Sequence, residues 1–111
     1  MNVLFVCSKN RWRSPSAESV FQSDPRLAVR SRGVRRSARR TVTAADLEWA
    51  DLVLVMESTH KSRLVADYPS ERRRVEVHVL DIPDDYPYMD PELVELLEAA
   101  VPPLLRLGPE T

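Results

Sequence analysis

The only cysteine of the 111-residue chain lies in the segment VCSKNRWRSPSAE, where five residues separate Cys7 from Arg13. A thiolate is the nucleophilic form of cysteine, and a guanidinium offers a planar fork that matches two oxygens of a phosphoryl group. The pair therefore indicates attack by sulfur on a phosphorus atom that the arginine holds. The competing interpretation is a buried structural cysteine at the end of a strand, which is the commoner role of a lone cysteine.

The residues on both sides of Cys7 indicate how these two side chains are positioned. The apolar run NVLFVC is rich in β-formers and predicts a buried strand that ends at Cys7. After the loop SKNRWR, Ser14 as N-cap and Pro15 as first helical residue predict a helix. A loop between a strand end and a helix N-terminus directs backbone N–H groups at one point, which favours both a thiolate and a phosphate.

Three carboxylates, Asp81, Asp84 and Asp85, lie where the last predicted strand ends, in the segment DIPDDY. Cleavage of a phosphate ester requires a proton on the leaving oxygen, and a carboxylic acid opposite the nucleophile can supply it. Asp and Pro are also common turn residues, so a purely structural loop is the alternative. Three acids in one turn exceed what a turn needs, which favours a functional role for the group.

Strands and helices alternate along the chain. The predicted strands are NVLFVC, the edge strand RLAVRSRG, DLVLVME and VEVHVLDI, and the predicted helices are SPSAESVFQS, TAADLEWA, STHKSRLVADY and PELVELLEAAV. The segments VRRSARRTV, SERRR and PDDYPYMD are predicted to be loops. This order predicts an α/β fold in three α/β/α layers, with a four-stranded parallel sheet and one domain over residues 1–111.

Composition restricts the location and the cofactors that we expect. No apolar stretch approaches the roughly 18 residues of a membrane span, and NVLFVC lacks the basic leader of a signal peptide. We therefore expect a cytoplasmic protein without a membrane partner. One cysteine and two histidines provide neither a disulfide nor a metal cluster, and two glycines provide no Gly-rich nucleotide loop. We expect no cofactor.

Charge is distributed unevenly. Residues 1–40 carry ten Lys and Arg against two acids, whereas residues 41–111 carry six against fifteen. The basic half is either a solvated face or the source of a field that attracts an anion to Cys7. Seven arginines within residues 26–40 would also suit nucleic acid phosphates. The residues between them offer no aromatic platform for bases, which argues against a nucleic acid partner.

Three segments resemble the low-molecular-weight protein tyrosine phosphatases. VLFVCSKNRWRSPSAE is similar to their phosphate-binding loop, ADLVLVME to their third strand and DIPDDYPYMDPEL to their Asp-containing loop. The resemblance implies a flavodoxin-like, phosphotyrosine phosphatase I-like fold. It also implies a hydrolase that acts on a phosphorylated protein or peptide through a phosphocysteine intermediate, with phosphate or another oxyanion in the site.

The same resemblance implies roles for individual residues. Cys7 is the nucleophile, Arg13 binds the phosphoryl oxygens and Asp84 is the general acid, with Asp85 as its rival and Asp81 orienting the loop. Ser14 donates to the thiolate, and Asn10 braces the loop because Asn tolerates a left-handed conformation. The predicted substrate-binding residues are Ser8, Lys9, Asn10, Arg11, Trp12 and Ser14.

The sequence also departs from the family pattern. Lys9 stands where the family usually has glycine, and Trp12 stands where it often has a second cysteine. The loss of that cysteine removes a protective disulfide and argues against disulfide-forming arsenate reductases. The segment that normally supplies an aromatic wall for the substrate is compressed, so Trp12 either replaces this wall or packs on the adjacent helix. Tyr86 and Tyr88 either line the mouth of the site or pack on the last helix. We expect structural roles for the two histidines, His60 and His78.

Three alternatives stay open from the sequence. CSKNRWRS and VHVLDIPDDY also resemble an atypical eukaryotic relative that dephosphorylates serine in the tail of RNA polymerase II. A phosphocysteine carrier is the second alternative, although Arg13 and Asp84 would harm a protein that must keep its phosphoryl group. The third is a phosphate- or nucleic-acid-binding module without catalysis.

Overall fold

The computed structural model of the chain describes residues 1–105, so the last six residues of the predicted domain lie outside the described part. Its strands are β1 (Asn2–Cys7), β2 (Ala28–Gly33), β3 (Leu52–Val55) and β4 (Glu76–Val79). Its helices are α1 (Arg13–Phe21), α2 (Ala44–Trp49), α3 (Ser58–Asp67), α4 (Pro69–Arg73) and α5 (Pro91–Ala100), with a 3-10 turn at Pro102–Leu104. No helix within residues 1–105 is long and apolar enough to cross a membrane.

The four strands form one parallel sheet, which confirms the predicted α/β fold. Their order, β2-β1-β3-β4, is that of flavodoxin-like sheets. The chain moves from β1 outward to β2 on one side and to β3 on the other, so the order reverses at β1. Ligands of such sheets bind beyond the carboxyl ends of the strands at this reversal. Cys7 ends β1 and pairs in register with Gly33, the last residue of β2.

A hydrophobic core covers each face of the sheet, because consecutive residues of a strand point to opposite faces. Val3, Phe5 and Cys7 belong to a cluster with the buried residues of α1 and α5. Leu4 and Val6 belong to a second cluster with the buried residues of α2 and α3. The two cores produce the three predicted layers and fix the carboxyl end of β1 between helices on both sides.

The structure confirms most predicted elements and corrects two. The predicted loop SERRR is wrong, because Pro69 suits a first helical turn and the segment forms α4. The prediction that Ser14 caps α1 is also wrong, because α1 begins at Arg13 and its N-cap, Trp12, makes no side-chain capping bond. Ser14 is instead inside the first turn, where its hydroxyl faces the Cys7 thiol.

Candidate active site

Cys7 and Ser14 form the buried centre of the candidate site. The Cys7 sulfur lies 2.9 Å from the Ser14 hydroxyl oxygen, and Asn10 donates an amide hydrogen to the same oxygen at 2.9 Å. The hydroxyl therefore accepts from Asn10 and keeps its own hydrogen for donation. The carbonyl oxygen of Arg32 is a weaker competitor at 3.3 Å, since hydrogen bonds to a charged acceptor are stronger than neutral ones. Ser14 can thus donate to the Cys7 thiolate, as the family resemblance implies.

The loop that follows Cys7 is bent at Asn10, whose φ of 52° is left-handed as predicted. The basic segment 34–40 supports this loop from the side. Three of its backbone N–H groups, those of Val34, Arg35 and Arg39, donate at 3.0 Å to the carbonyl oxygens of Cys7, Ser8 and Lys9. The prediction that this segment is a loop is confirmed. Its contact with the phosphate-binding loop was not predicted, because the residues in contact are about 30 positions apart in the sequence.

Gly33 allows that close approach. A β-carbon built at this position would lie 2.7 Å from the Ser8 carbonyl oxygen, 2.8 Å from the Asn10 nitrogen and 2.6 Å from the Ala38 β-carbon. No other residue type has room here without displacement of the phosphate-binding loop. Sequence reasoning missed this role, although a signal existed: Gly33 is one of only two glycines in the chain and ends a predicted strand.

Arg13 is 2% exposed and is held by side chains and backbone from distant segments. Its Nη1 contacts the Glu57 carboxylate and donates to the carbonyl oxygen of Ile82 at 2.7 Å. Its Nε lies 3.6 Å from a carboxylate oxygen of Asp84. A buried charge needs such partners, and here they also fix the orientation of the guanidinium. Glu57, which follows Met56 at the end of β3, was not among the predicted site residues.

The structure separates the three candidate acids, Asp81, Asp84 and Asp85. Asp84 lines the cavity above Cys7, and its side chain is 59% exposed. Asp81 and Asp85 are exposed and do not line this cavity. Asp81 adopts a left-handed φ of 57°, which fits its expected role in the turn. Tyr86 packs against the core with its hydroxyl 3.4 Å from Glu92 of α5, so it takes the packing role rather than the place at the mouth.

The cavity above Cys7 has a volume of about 250 Å³ and a largely cationic lining. Its lining residues are Cys7, Ser8, Lys9, Arg11, Trp12, Arg13, Arg35 and Asp84. Asn10 and Ser14, also predicted to bind substrate, are fully buried and do not line the cavity. Arg35 was not predicted to be part of the site. Within residues 1–105, no group of three or more His, Cys, Asp and Glu side chains is arranged to hold a metal ion.

His60, for which the sequence predicted only a structural role, lies next to the site and contacts Ser8. It is buried, its Nδ1 accepts the backbone N–H of Glu57 at 3.0 Å, and its Nε2 lies 2.9 Å from the Ser8 hydroxyl. Burial and the charge of Arg13 lower the pKa of His60 to about 4, so the ring is neutral at pH 7. The Nδ1 contact then places the ring hydrogen on Nε2, and Ser8 accepts it. The Ser8 hydroxyl hydrogen is left to point elsewhere, including into the cavity.

Comparison with known proteins gives phosphatases among the relatives, although no family model matches the chain. Low molecular weight protein-tyrosine-phosphatase PtpB of Staphylococcus aureus is 31% identical over 101 aligned residues, which cover 70% of this chain and 72% of that protein. The tyrosine phosphatase Wzb of Escherichia coli K30, solved in complex with phosphate, has a TM-score of 0.73 at 25% identity and covers 89% of this chain and 91% of its own. The YwlE arginine phosphatase, solved with a phosphorylated active-site serine in place of cysteine, has a TM-score of 0.66 at 26% identity over 87% and 91%.

The fold and these relatives define a phosphatase that depends on a cysteine. The flavodoxin-like fold and the loop after the first strand are features that the family resemblance in the sequence already implied. The chain belongs to the low-molecular-weight protein tyrosine phosphatase family, which confirms the resemblance seen in the sequence.

Proposed function

We propose that this enzyme hydrolyses phosphotyrosine in proteins, with Cys7 as nucleophile, Arg13 as ligand of the phosphoryl oxygens and Asp84 as general acid. The observation that carries the proposal is that all three side chains line the same 250 Å³ cavity at the carboxyl end of β1. The two other acids of the loop, Asp81 and Asp85, lie outside it. The tyrosine phosphatases PtpB and Wzb among its relatives support the choice of substrate.

The proposed reaction has two steps. In the first, the Cys7 thiolate attacks phosphorus, the bond to the tyrosyl oxygen breaks, and that oxygen takes a proton from Asp84. Phosphocysteine and a free tyrosine result. In the second, water attacks phosphorus, Asp84 takes a proton from it, and the sulfur leaves as thiolate with release of phosphate. Arg13 and the backbone N–H groups of the loop bind the oxygens on which charge develops.

The lining of the cavity favours an aromatic phosphate ester. Trp12 is 37% exposed and borders the cavity, so its ring is available as the wall that the compressed segment after β2 lacks. Phosphoarginine, by analogy with YwlE, is the second substrate class to consider. Its guanidino group becomes cationic as it leaves, and three cations, Lys9, Arg11 and Arg35, already line the cavity. Repulsion among like charges argues against that substrate.

A panel of peptides identical except for the phosphorylated residue tests the substrate class. We expect phosphotyrosine to be hydrolysed with the highest kcat/KM, ahead of phosphoserine, phosphothreonine and phosphoarginine. Release of inorganic phosphate is the measurement, and Cys7→Ser, which should be inactive on all four, is the control for contaminating phosphatases. A phosphoserine or phosphoarginine peptide that outperforms phosphotyrosine would replace the proposed substrate.

The role of Asp84 is tested with two substrates, one whose leaving group needs a proton in order to depart and one whose leaving group does not. Asp84→Asn should slow a phosphotyrosyl peptide by roughly 10²–10⁴-fold, the range for a lost acid–base catalyst. It should slow p-nitrophenyl phosphate less, because p-nitrophenolate departs almost without a proton. Asp81→Asn and Asp85→Asn are the matched controls and should leave both rates nearly unchanged. If either control shows the leaving-group-dependent loss and Asp84→Asn does not, the acid is assigned to the wrong residue.

A further inference from the structure

Five cations of the active-site cavity and of the cavity next to it have no carboxylate partner within residues 1–105. Lys9, Arg11 and Arg35 line the cavity above Cys7, and Arg39 and Arg40 lie beside it in the same basic segment. All five are exposed, and none takes part in an ion pair among residues 1–105. By contrast, Arg13, Arg30 and Arg32 are each paired with an acid. Unpaired like charges repel one another, so their concentration here calls for an external anion.

A second cavity shares the lining residue Arg11 with the first. We name this cavity, of about 430 Å³, the basic groove; its lining residues are Arg11, Pro15, Glu18, Ser19, Arg39, Arg40 and Tyr88. Its one acid, Glu18, already accepts a hydrogen bond from the Ser31 hydroxyl at 2.9 Å. Three arginines against one occupied carboxylate leave the groove with an excess of positive charge.

The backbone holds the basic groove at a fixed place relative to the phosphate-binding loop. The Arg39 backbone N–H donates to Lys9 at 3.0 Å, and the Arg39 side chain donates to the carbonyl oxygen of Asn10 at 3.3 Å. The carbonyl oxygen of Arg40 accepts from Gly33 at 2.8 Å. An anion in the groove would therefore lie at a defined position beside a phosphate bound over Cys7.

We propose that the basic groove binds a second anionic group of the substrate, namely a carboxylate or phosphate on a residue that flanks the phosphorylated one. The inference rests on the proposed function and specifies its substrate class as acidic phosphopeptides. A peptide fits better than a nucleic acid, because the lining of the basic groove contains a single aromatic residue, Tyr88, whose hydroxyl is bonded to Ser19 at 2.6 Å. Binding of single strands relies on free aromatic faces on which successive bases stack.

The test compares phosphotyrosyl peptides that carry two Glu, two Gln or two Lys residues next to the phosphotyrosine, placed on the N-terminal or the C-terminal side. In low salt, the best Glu peptide should exceed its Gln counterpart in kcat/KM by about tenfold, the lower end of electrostatic steering effects, and the Lys peptide should be the slowest. In about 0.5 M NaCl, the ratio of kcat/KM for the Glu peptide to kcat/KM for the Gln peptide should fall towards one, since salt screens exposed charges.

Arg40→Gln is the diagnostic variant and Arg36→Gln is its control. Both side chains are exposed in the same segment, but only Arg40 lines the basic groove. Arg40→Gln should remove most of the preference for the Glu peptide and leave hydrolysis of the Gln peptide unchanged, whereas Arg36→Gln should keep the preference. Equal rates for Glu and Gln peptides in the wild type, or equal effects of the two variants, would overturn the inference while phosphotyrosine hydrolysis stands.

A different outcome would identify failure of the proposed function itself. If p-nitrophenyl phosphate is hydrolysed but no phosphotyrosyl peptide is, the protein substrate is wrong and the basic groove serves another ligand. A 5′-phosphorylated oligonucleotide is included for this reason. Faster hydrolysis of that oligonucleotide than of the Glu peptide would overturn both the proposed function and the peptide assignment of the groove.

Discussion

Substitution of Gly33 by alanine should damage catalysis although Gly33 itself does not line the cavity above Cys7. The φ of Gly33 is not positive, so alanine brings no backbone strain and its whole effect is steric. The new methyl group would lie 2.7 Å from the Ser8 carbonyl oxygen and 2.8 Å from the Asn10 nitrogen. Ordinary contacts of a β-carbon begin near 3.4 Å, so these backbone atoms must recede by about 0.6–0.7 Å. Backbone atoms cannot rotate away as a side-chain end can.

The displacement of the phosphate-binding loop determines how much kcat should fall. A shift of about 1 Å in a catalytic group can cost about 10²-fold in rate, so Gly33→Ala should lower kcat for p-nitrophenyl phosphate by roughly 10- to 100-fold. Overpacking of a well-packed site costs about 1–3 kcal/mol, which is the expected loss in the free energy of unfolding. Steady-state kinetics and urea unfolding monitored by tryptophan fluorescence measure the two quantities.

Two further variants separate loop displacement from general instability. Leu97→Ala removes fully buried methyl groups from α5 and should destabilise the fold by about 2–5 kcal/mol with little change in kcat of the folded enzyme. Ala38→Gly relieves only one of the three contacts, so the double variant Gly33→Ala, Ala38→Gly should stay impaired. A Gly33→Ala enzyme with kcat within twofold of wild type would show that β2 does not hold the phosphate-binding loop in place.

Three further predictions concern the residues around the cavity. Arg13→Lys keeps the charge but loses the bidentate fork and should lower kcat on the order of 10²-fold or more; a nearly active variant would restrict Arg13 to a structural role. Peroxide should inactivate the enzyme through a Cys7 sulfenic acid, against which bound phosphate protects, and mass spectra without oxidation at Cys7 would contradict this. Because the pKa of His60 is lowered from 6.5 to about 4 in the folded protein, the unfolded chain takes up the proton first as the pH falls. The free energy of unfolding should therefore decrease from pH 6.5 through pH 4 by at most about 3 kcal/mol, and His60→Gln should flatten this dependence in urea unfolding.

The fold was predictable because local patterns carry it. Buried apolar runs predict the strands of a parallel sheet, and their alternation with helices predicts the layers. The predicted helix TAADLEWA forms α2 and begins with a capping box of Thr43 and Asp46, a pattern that local sequence determines. The wrong prediction at Ser14 has a local cause as well. Serine is a favourable N-cap residue and also a suitable hydrogen-bond donor to the Cys7 thiolate, and helix propensity does not distinguish these two roles. Only the contact with a thiol seven residues away decides between them.

The candidate site was predictable only where its residues are close in sequence or where the family resemblance supplies them. Cys7 and Arg13 belong to one segment, and the resemblance to a known family adds Asp84 as the general acid. Glu57 contacts Arg13 across 44 positions, and His60 contacts Ser8 across 52. Such contacts arise because parallel strands bring their carboxyl ends to one edge of the sheet. Knowledge of strand order is needed before they can be inferred.

The charge asymmetry of the sequence acquires a physical meaning in this arrangement. The basic half, residues 1–40, contributes β1, the phosphate-binding loop, α1, β2 and the segment that supports the loop, so it forms the surface that attracts a phosphate. The acidic half contributes Glu57 and Asp84, which approach Arg13 from the ends of β3 and β4. Without these carboxylates, the buried guanidinium would be a costly unpaired charge. Glu57 contacts the Nη1 atom of Arg13 and does not line the cavity. The Nε atom of Arg13 lies on the side of Asp84, which does line the cavity, so this side of the guanidinium is left for the incoming phosphate.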